Sequence, residues 1–372
     1  MKIAIDCADL DYQRIDGTRV YIKNLLDVFG KLDQQDEFLL YHKKNFNSLL
    51  KPKWFGNYKE RKIDYDLAWT QTRFPFELIK DKPDVLWMPI QQIPFLVKGK
   101  IKTVVTIHDL AFKIFPECFT FQDRMKLNFF TDTAIKRAEK LIAVSQSTKK
   151  DILKFYPKVK VEKIKVVYHG FDREVFSKSV RDLASSEKIG KFNLGEDYLL
   201  YVGAIQPRKN LGVLIEAFEA IKKKLNQQKL KLVLVGEVAW LSTEILEKVK
   251  KSKFASDIIL TGRVDFGQLV EIYRQAKIFV FPSLYEGFGL PVLEAWASGV
   301  PVVVANNSSL TEIGDEAVEK FDGQSSVELI EKLTDLLDNE AKRQALVAKG
   351  LARLDFFSWE KCAEETLKIL KS

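Results

Sequence analysis

Residues 278–304 read IFVFPSLYEGFGLPVLEAWASGVPVVV. The run opens as a strand over Ile278–Pro282, passes through a glycine-bearing loop, continues at helical period over Leu290–Ala297 and returns to strand at Pro301–Val304. That is the sequence form of two parallel strands joined by a crossover helix. The same alternation extends outward to both ends of the chain. In the first half the predicted strands are Lys2–Asp6, Phe38–Tyr41, Val85–Met88, Thr103–Ile107, Lys140–Val144 and Lys165–Tyr168. Helices are predicted at Val20–Gly30, Asp123–Ala138 and Ser147–Phe155, the last with Ser147 as N-cap. In the second half strands at Leu199–Val202, Lys231–Val235 and Asp257–Leu260 alternate with helices at Val213–Leu225 and Phe266–Ala276. The fold class is α/β. Periodicity lapses between Asp172 and Glu196, which marks a linker between two Rossmann-like domains, 1–180 and 181–356, facing each other across a cleft. In open parallel sheets ligands bind outside the carboxyl ends of the strands, so the loops after strands carry the chemistry.

Composition narrows the function classes. The chain has 372 residues, 46% of them hydrophobic, enough for two buried cores and too many for a disordered linker protein. Formal charge is 59 − 51 = +8, divided as 33 − 23 = +10 over residues 1–180 and 26 − 28 = −2 over residues 181–372. Cys7, Cys118 and Cys362 are too few and too scattered for a disulfide framework or a metal knuckle, which fits a reducing cytoplasm. The opening MKIAID has no apolar stretch behind its lysine, so no signal peptide is expected. No window approaches the ~20 apolar residues that span a bilayer. No fixed-period repeat points to a solenoid or propeller.

The segment after Pro282 carries the densest chemistry. Glu286 lies on the loop, Gly287 and Gly289 let backbone approach a ligand closely, and a helix begins near Leu290 with its first amides directed back toward the loop. This is an anion site with a carboxylate beside it. Glu294, eight residues on and one turn into the helix, reaches a different part of the same extended ligand; a sugar joined to a nucleotide fits. A solvated helix carboxylate and a merely shaped turn would account for a lone pair of glutamates, and the glycine context weighs against that.

The whole arrangement, E-x7-E within YEGFGLPVLEAWASGVPVV, closely resembles the donor-site signature of the retaining glycosyltransferases of family 4, which have the GT-B fold. The resemblance continues through YVGAIQPRKNLGVLIEAF (201–218), VVTIHDLAF (104–112), LIAVSQSTKKDI (141–152), VVYHGFD (166–172), ILTGRV (259–264) and FSWEKCAEETL (357–367). It implies that Glu286 lies against the hydroxyls of the transferred sugar and that Glu294 holds the ribose. By the same resemblance, Phe288, Gly289 and Leu290 offer backbone amides to sugar or diphosphate, and Arg208 and Lys209 neutralise the diphosphate. A departing nucleoside diphosphate gains negative charge, which fixed cations and a helix N-terminus stabilise without a metal. Ala204 stands where family members often carry a further arginine, so the diphosphate leans harder on Arg208 and Lys209. Arg263 and Val264 fall where the family recognises the nucleobase. His108 is assigned a contact to the donor sugar, and Gly17, in the loop after the first strand with a helix from Val20 behind it, an approach to the diphosphate. His169 reads as part of a structural turn, His42 carries no signal, and Asp9-x-Asp11 reads as ordinary loop polarity rather than a metal-binding pair. The helix at 357–372 is implied to cross back onto the first domain.

The basic surplus of the first half, with Trp54, Phe55 and Tyr58 among lysines, suits an anionic membrane surface better than nucleic acid, for which no recognition motif is present. The resulting expectation is a metal-independent, retaining hexosyltransferase without a cofactor. It would use a nucleotide diphosphate sugar, mannose from GDP-mannose first, and a glycan or lipid-linked acceptor, and would be cytoplasmic or peripheral on the inner face of the membrane. The alternatives are a UDP-hexose-dependent transferase, a GT-B UDP-sugar epimerase and a non-catalytic nucleotide-sugar-binding scaffold. A dinucleotide oxidoreductase fails because 287–292 reads GFGLPV rather than G-x-G-x-x-G.

Overall fold

The computed structural model describes all residues except Lys98, Lys100, 177–188 and 225–228. The predicted linker and the predicted helix end at Leu225 fall partly in those segments. The chain divides into two compact units. One comprises Met1–Lys113, Phe121–Gly170 and Phe357–Ser372, the other Ile114–Thr120 and Phe171–Phe356.

The first unit contains seven strands: β1 (Lys2–Asp6), β2 (Glu37–His42), β3 (Tyr58–Lys62), β4 (Val85–Met88), β5 (Lys102–Ile107), β6 (Lys140–Ala143) and β7 (Ile164–Val166). They pair in parallel in the order β3-β2-β1-β4-β5-β6-β7. Helices α1 (Gly17–Leu32), α2 (Arg73–Asp81), α3 (Ala111–Ile114), α4 (Phe121–Arg137) and α5 (Gln146–Phe155) connect them. Strands such as β4, buried at all four positions, read as continuous apolar runs, the pattern required when helices cover both faces of a parallel sheet.

The second unit has six strands: β8 (Tyr198–Val202), β9 (Lys231–Val235), β10 (Ile258–Gly262), β11 (Ile278–Phe281), β12 (Val302–Ala305) and β13 (Glu319–Phe321). Their order is β10-β9-β8-β11-β12-β13, again parallel. Its helices are α6 (Arg173–Phe176), α7 (Leu211–Lys224), α8 (Thr243–Lys251), α9 (Phe266–Gln275), α10 (Leu290–Ala297), α11 (Ser308–Gly314), α12 (Ser326–Asp338) and α13 (Glu340–Arg353). In both sheets the chain first winds to one side and then returns to wind to the other. The reversal lies between β1 and β4 in the first unit and between β8 and β11 in the second. Loops leaving neighbouring strands in opposite directions open a crevice at such a point.

The closing helix α14 (Trp359–Lys371), capped by the Ser358 hydroxyl on the Lys361 amide at 3.2 Å, belongs to the first unit. Trp359, Cys362, Ala363, Leu367 and Leu370 enter the same core as Ile3, Tyr21, Leu25, Phe29 and Trp87. A Cβ on Gly170 would sit 2.3 Å from the Trp359 amide nitrogen, so only glycine fits where the chain passes α14. The adjoining His169 is buried and stacked on Tyr21 at 4.7 Å.

Several boundaries differ from the sequence reading. Helix α5 is capped by Ser145, whose Oγ accepts from the Thr148 amide at 3.0 Å, and not by Ser147, which lies inside the helix. Helix α1 starts at Gly17 rather than Val20, because the Asp16 carboxylate caps it by accepting from the Arg19 amide at 3.2 Å. The first unit gives way to the second after Gly170 rather than at 180, and Ile114–Thr120 groups with the second. There the Trp240 indole donates to the Cys118 carbonyl at 3.0 Å, tying that excursion to the loop after β9. Among the described residues no helix is long and apolar enough to cross a membrane.

Candidate active site

The reversal point of the second sheet is where the chemistry gathers. Parallel pairing of β8 with β11 brings their carboxyl ends side by side, so the loop carrying Arg208 and Lys209 meets the loop carrying Glu286. Pro207–Lys209 form one 3-10 turn, closed by Asn210 in the left-handed region. Asn210 Nδ2 donates to the Pro282 carbonyl at 3.2 Å and to the Gly323 carbonyl at 2.7 Å, and the Leu284 amide donates to the Arg208 carbonyl at 2.9 Å. The two loops are thus fastened through backbone before any charged group is counted.

Across this seam Lys209 Nζ lies 2.5 Å from Glu286 Oε1 and Arg208 Nη1 lies 3.3 Å from Glu286 Oε2, with Arg208 also donating to the Tyr285 carbonyl. Lys209 is 8% exposed and Glu286 9%, and the Lys209 ammonium also sits over the Phe281 ring. Burial by itself would push the Glu286 carboxyl up, but the Lys209 ammonium and the Arg208 guanidinium together hold it down at about 2. Glu286 is therefore an anion throughout the physiological range. Two cations for one carboxylate leave the cluster with one positive charge, a suitable counter-charge for a second anionic group.

Beside it, Gly289 caps α10 at φ +112°, a conformation that side chains rarely adopt. A Cβ there would also come within 3.0 Å of Leu310. Three residues of the following β12–α11 turn shape the loop from below. Ser308 Oγ accepts from the Glu286 amide at 3.0 Å. Ser309 Oγ lies 2.9 and 2.8 Å from the carbonyls of Glu286 and Phe288, and Asn307 Nδ2 donates to the Ser283 carbonyl at 3.0 Å. With those carbonyls drawn toward Ser309, the loop that carries Gly287 and Phe288 leads into the amides of Gly289 and Leu290 at the start of α10. Sequence reading missed this support; the N-N-S-S run at 306–309 after a strand was its signal. Glu294 lies one turn along α10, where Tyr273 Oη donates to its Oε2 at 2.8 Å. Burial raises the Glu294 carboxyl to about 7, against the partial relief of that hydrogen bond. The two glutamates of the motif therefore sit in opposite electrostatic settings, one held ionised and one held near neutrality.

Arg263 stands apart from this cluster, exposed beyond β10 and paired with Glu237 at 3.2 Å; Val264 follows it, half-buried, on the same carboxyl edge. His108 and Gly17 belong to the first unit. His108 follows β5 and places Nε2 2.8 Å from the Pro89 carbonyl. A carbonyl only accepts, so the proton is on Nε2 and Nδ1 is left as an acceptor. Burial holds this imidazole below its ordinary range, so it is neutral. The Tyr21 ring meets it edge-on at 5.3 Å and His169 at 5.7 Å, which fixes the plane of the ring. Gly17 is the first residue of α1. Asp11 Oδ2 accepts from the amides of Lys43 and Lys44, 2.8 Å each, and so tethers the end of β2. His42, fully buried, lies 3.5 Å from Asp11 Oδ1 and 3.1 Å from Glu60. Among the described residues no group of three His, Cys, Asp or Glu side chains is placed to hold a metal ion.

This geometry can be set beside known proteins. A family model described as glycosyl transferases group 1 matches residues 184–353, and one described as glycosyltransferase family 4 matches residues 40–175. The chain is 28% identical over 274 residues to O-antigen chain mannosyltransferase B of Escherichia coli, covering 73% of this chain and 70% of that protein. It is 30% identical over 284 residues to the serotype-specific mannosyltransferase WbdA of Escherichia coli, covering 74% of this chain but only 33% of WbdA. The crystal structure of Anabaena HepE in complex with UDP and glucose superposes with a TM-score of 0.76 at 16% identity, over 100% of this chain and 99% of that one. With one family model over each half and a structural match along its whole length, the chain belongs to the group 1, family 4 glycosyltransferases and has their GT-B fold of two Rossmann-like domains.

Proposed function

We propose that this glycosyltransferase moves mannose from GDP-mannose to a glycan or lipid-linked acceptor, with retained anomeric configuration and without a catalytic metal. The observation that carries the reading is the Arg208–Lys209–Glu286 cluster at the sheet reversal, beside the N-terminus of α10. There the two cations and the helix start meet the charge that develops on a departing diphosphate, the work a metal performs elsewhere. Glu286, held ionised, accepts hydrogen bonds from hydroxyls of the transferred sugar, and Glu294 takes the ribose. Arg263 and Val264 border the base. His108, neutral with Nδ1 as acceptor, takes a sugar hydroxyl. In same-face transfer the acceptor oxygen bonds to the anomeric carbon as the carbon–phosphate oxygen bond breaks, and the acceptor's proton passes to the departing phosphate oxygen. No protein nucleophile is required.

The choice of mannose is supported by the mannosyltransferase relatives. A UDP-hexose donor is the second reading, supported by the UDP and glucose held by HepE. A lipid-linked acceptor at an anionic, inner membrane face is the part of the reading supported by the basic surplus of the first half. The test is product analysis by NMR with GDP-mannose or UDP-glucose, in EDTA and in magnesium, with and without a lipid-linked oligosaccharide acceptor. The reading expects an acceptor-dependent mannosyl product with the donor's anomeric configuration in EDTA. An inverted product, a strict magnesium requirement or conversion of a UDP-sugar without acceptor would overturn it.

A further inference from the structure

His42, which no motif in the sequence singles out, ends β2 with a fully buried ring. Its Nδ1 lies 2.5 Å from the Lys44 carbonyl and 3.5 Å from Asp11 Oδ1, and its Nε2 lies 3.1 Å from Glu60 Oε1 on β3. A carbonyl and an ionised carboxylate only accept hydrogen bonds, and a neutral imidazole has one N–H to give. With an acceptor at each nitrogen, the arrangement is satisfied in full only when the ring carries both protons and a positive charge. His108 is the contrast within the same unit: one nitrogen meets a carbonyl, and burial keeps that ring neutral. The Phe46 ring, stacked on His42 at 4.1 Å, holds the imidazole plane in line with its acceptors.

The charges around the ring agree. Asp11, on the 3-10 turn Ala8–Asp11 after β1, and Glu60, on β3, are the acidic groups that face it. The neighbouring ammonium groups are engaged elsewhere: Lys43 over the Trp69 ring, Lys44 with Asp66 at 3.1 Å and Lys62 with Asn45 at 2.9 Å. Burial alone would lower the imidazole, but Asp11, the Lys44 carbonyl and Glu60 outweigh it and raise the group above its ordinary 6.5. Asp11 carries the effect onward. While its Oδ1 faces the ring, its Oδ2 accepts from the amides of Lys43 and Lys44. Asn47, also after β2, donates to the carbonyls of Leu10 and Tyr12, both at 2.9 Å. The loop that leaves β1 and leads into Gly17 is thus fastened to the β2–β3 connection by fixed amide bonds and by one removable proton. It stands at the reversal of the first sheet, on the edge where an open parallel sheet takes its ligand. When the ring loses a proton, Nε2 gives it up, because the Glu60 side chain is 56% exposed and turns to water while the Lys44 carbonyl cannot. Asp11, its side chain 6% exposed, then loses its counter-charge while still buried.

We infer that His42 is a proton-operated latch on the β1–α1 loop: as a cation it holds Asp11 and the crevice loop against β2 and β3, and on deprotonation it loosens them. The stabilisation is complete below the ordinary 6.5 and is lost as pH rises through the raised value of the folded state, so the loop is held in acid and loosened in alkali. The inference stands on the geometry of the first unit and is independent of the donor reading. The experiment is a pH series on the full chain with isotope-labelled histidine, read by NMR, alongside hydrogen–deuterium exchange over residues 7–17 corrected for its intrinsic pH dependence. It compares wild type, Glu60→Gln and His42→Gln; the last keeps one amide donor, is neutral at every pH and identifies the His42 signal by its loss. The expected result is a His42 midpoint above 6.5 that falls in Glu60→Gln. Protection of the loop should drop through the same midpoint by about tenfold for each unit by which the midpoint exceeds the ordinary value, and should be weak and independent of pH in His42→Gln. A midpoint at or below 6.5, or loop protection that does not follow the midpoint, would overturn the inference. Glu60 is largely exposed, so wild type and Glu60→Gln decide the matter even where His42→Gln does not fold.

Discussion

Lys209→Met should lower kcat/KM for transfer by about a hundred- to a thousandfold, the loss that follows removal of one preorganised group facing transition-state charge. The structure adds that this substitution also destabilises the protein. Lys209 and Glu286 form a buried pair, and deleting one partner of such a pair typically costs about 3–5 kcal/mol because the other charge is left behind. Arg208, 3.3 Å from the second carboxylate oxygen, offsets part of that cost. Relieved of its nearer cation, the Glu286 carboxyl should titrate above its present value of about 2. In wild type its stabilisation is present above the ordinary carboxyl value and is lost as pH falls toward 2; in the variant the loss is smaller and is complete at a higher pH. Loss of activity alone would not separate catalysis from unfolding, so the informative partner is the double variant Lys209→Met/Glu286→Gln. It carries no uncompensated carboxylate and should recover most of the melting temperature while remaining inactive. Recovery of activity along with stability would mean that neither side chain takes part in transfer.

Glu294→Gln should show the opposite sign. The Glu294 carboxyl is raised by burial to about 7 from an ordinary 4.5, so the fold favours its neutral form. The stability associated with that neutral form is complete below about pH 4.5, declines as pH rises through 7 and changes no further. Glutamine is neutral at every pH and still accepts from the Tyr273 hydroxyl. The variant's melting temperature should therefore match wild type in acid and exceed it above pH 7, by at most about 3 kcal/mol of stability. On the proposed ribose contact its nucleotide-sugar affinity should fall, because an amide replaces the acid group there. A thermal-denaturation series across pH, with and without donor, checks both. A melting-temperature difference independent of pH, or tighter donor binding, would contradict the assignment.

The strand–helix–strand run at 278–304 was legible almost to the residue because each boundary has a local cause. The strand is wholly apolar, Gly289 can take the left-handed φ that starts α10, and Gly299 allows the turn back into β12. The edge strand β3 was not legible. YKERK buries only Tyr58 and takes its strand character from pairing with β2, which no local pattern records. Helix α2 escaped for a similar reason, since Thr72 makes no side-chain cap and Pro75 stands in its first turn. Within the site, residue types were readable but their coupling was not. Nothing in PRKN announces that Lys209 neutralises a carboxylate 77 residues away, and nothing near Glu294 points to Tyr273. The first contact arises from the order in which the sheet is wound, which places the loops after β8 and β11 side by side, and the second from the packing of α9 beside α10.

The most direct test of the central claim, that this reversal point holds a nucleoside diphosphate sugar, is calorimetric titration of the ligand-free protein with GDP-mannose and with UDP-glucose in EDTA. Saturable, metal-free binding of one of them, clearly weakened in the stable Lys209→Met/Glu286→Gln variant, is the result the account predicts. Binding of neither, or equal binding to wild type and variant, would contradict it.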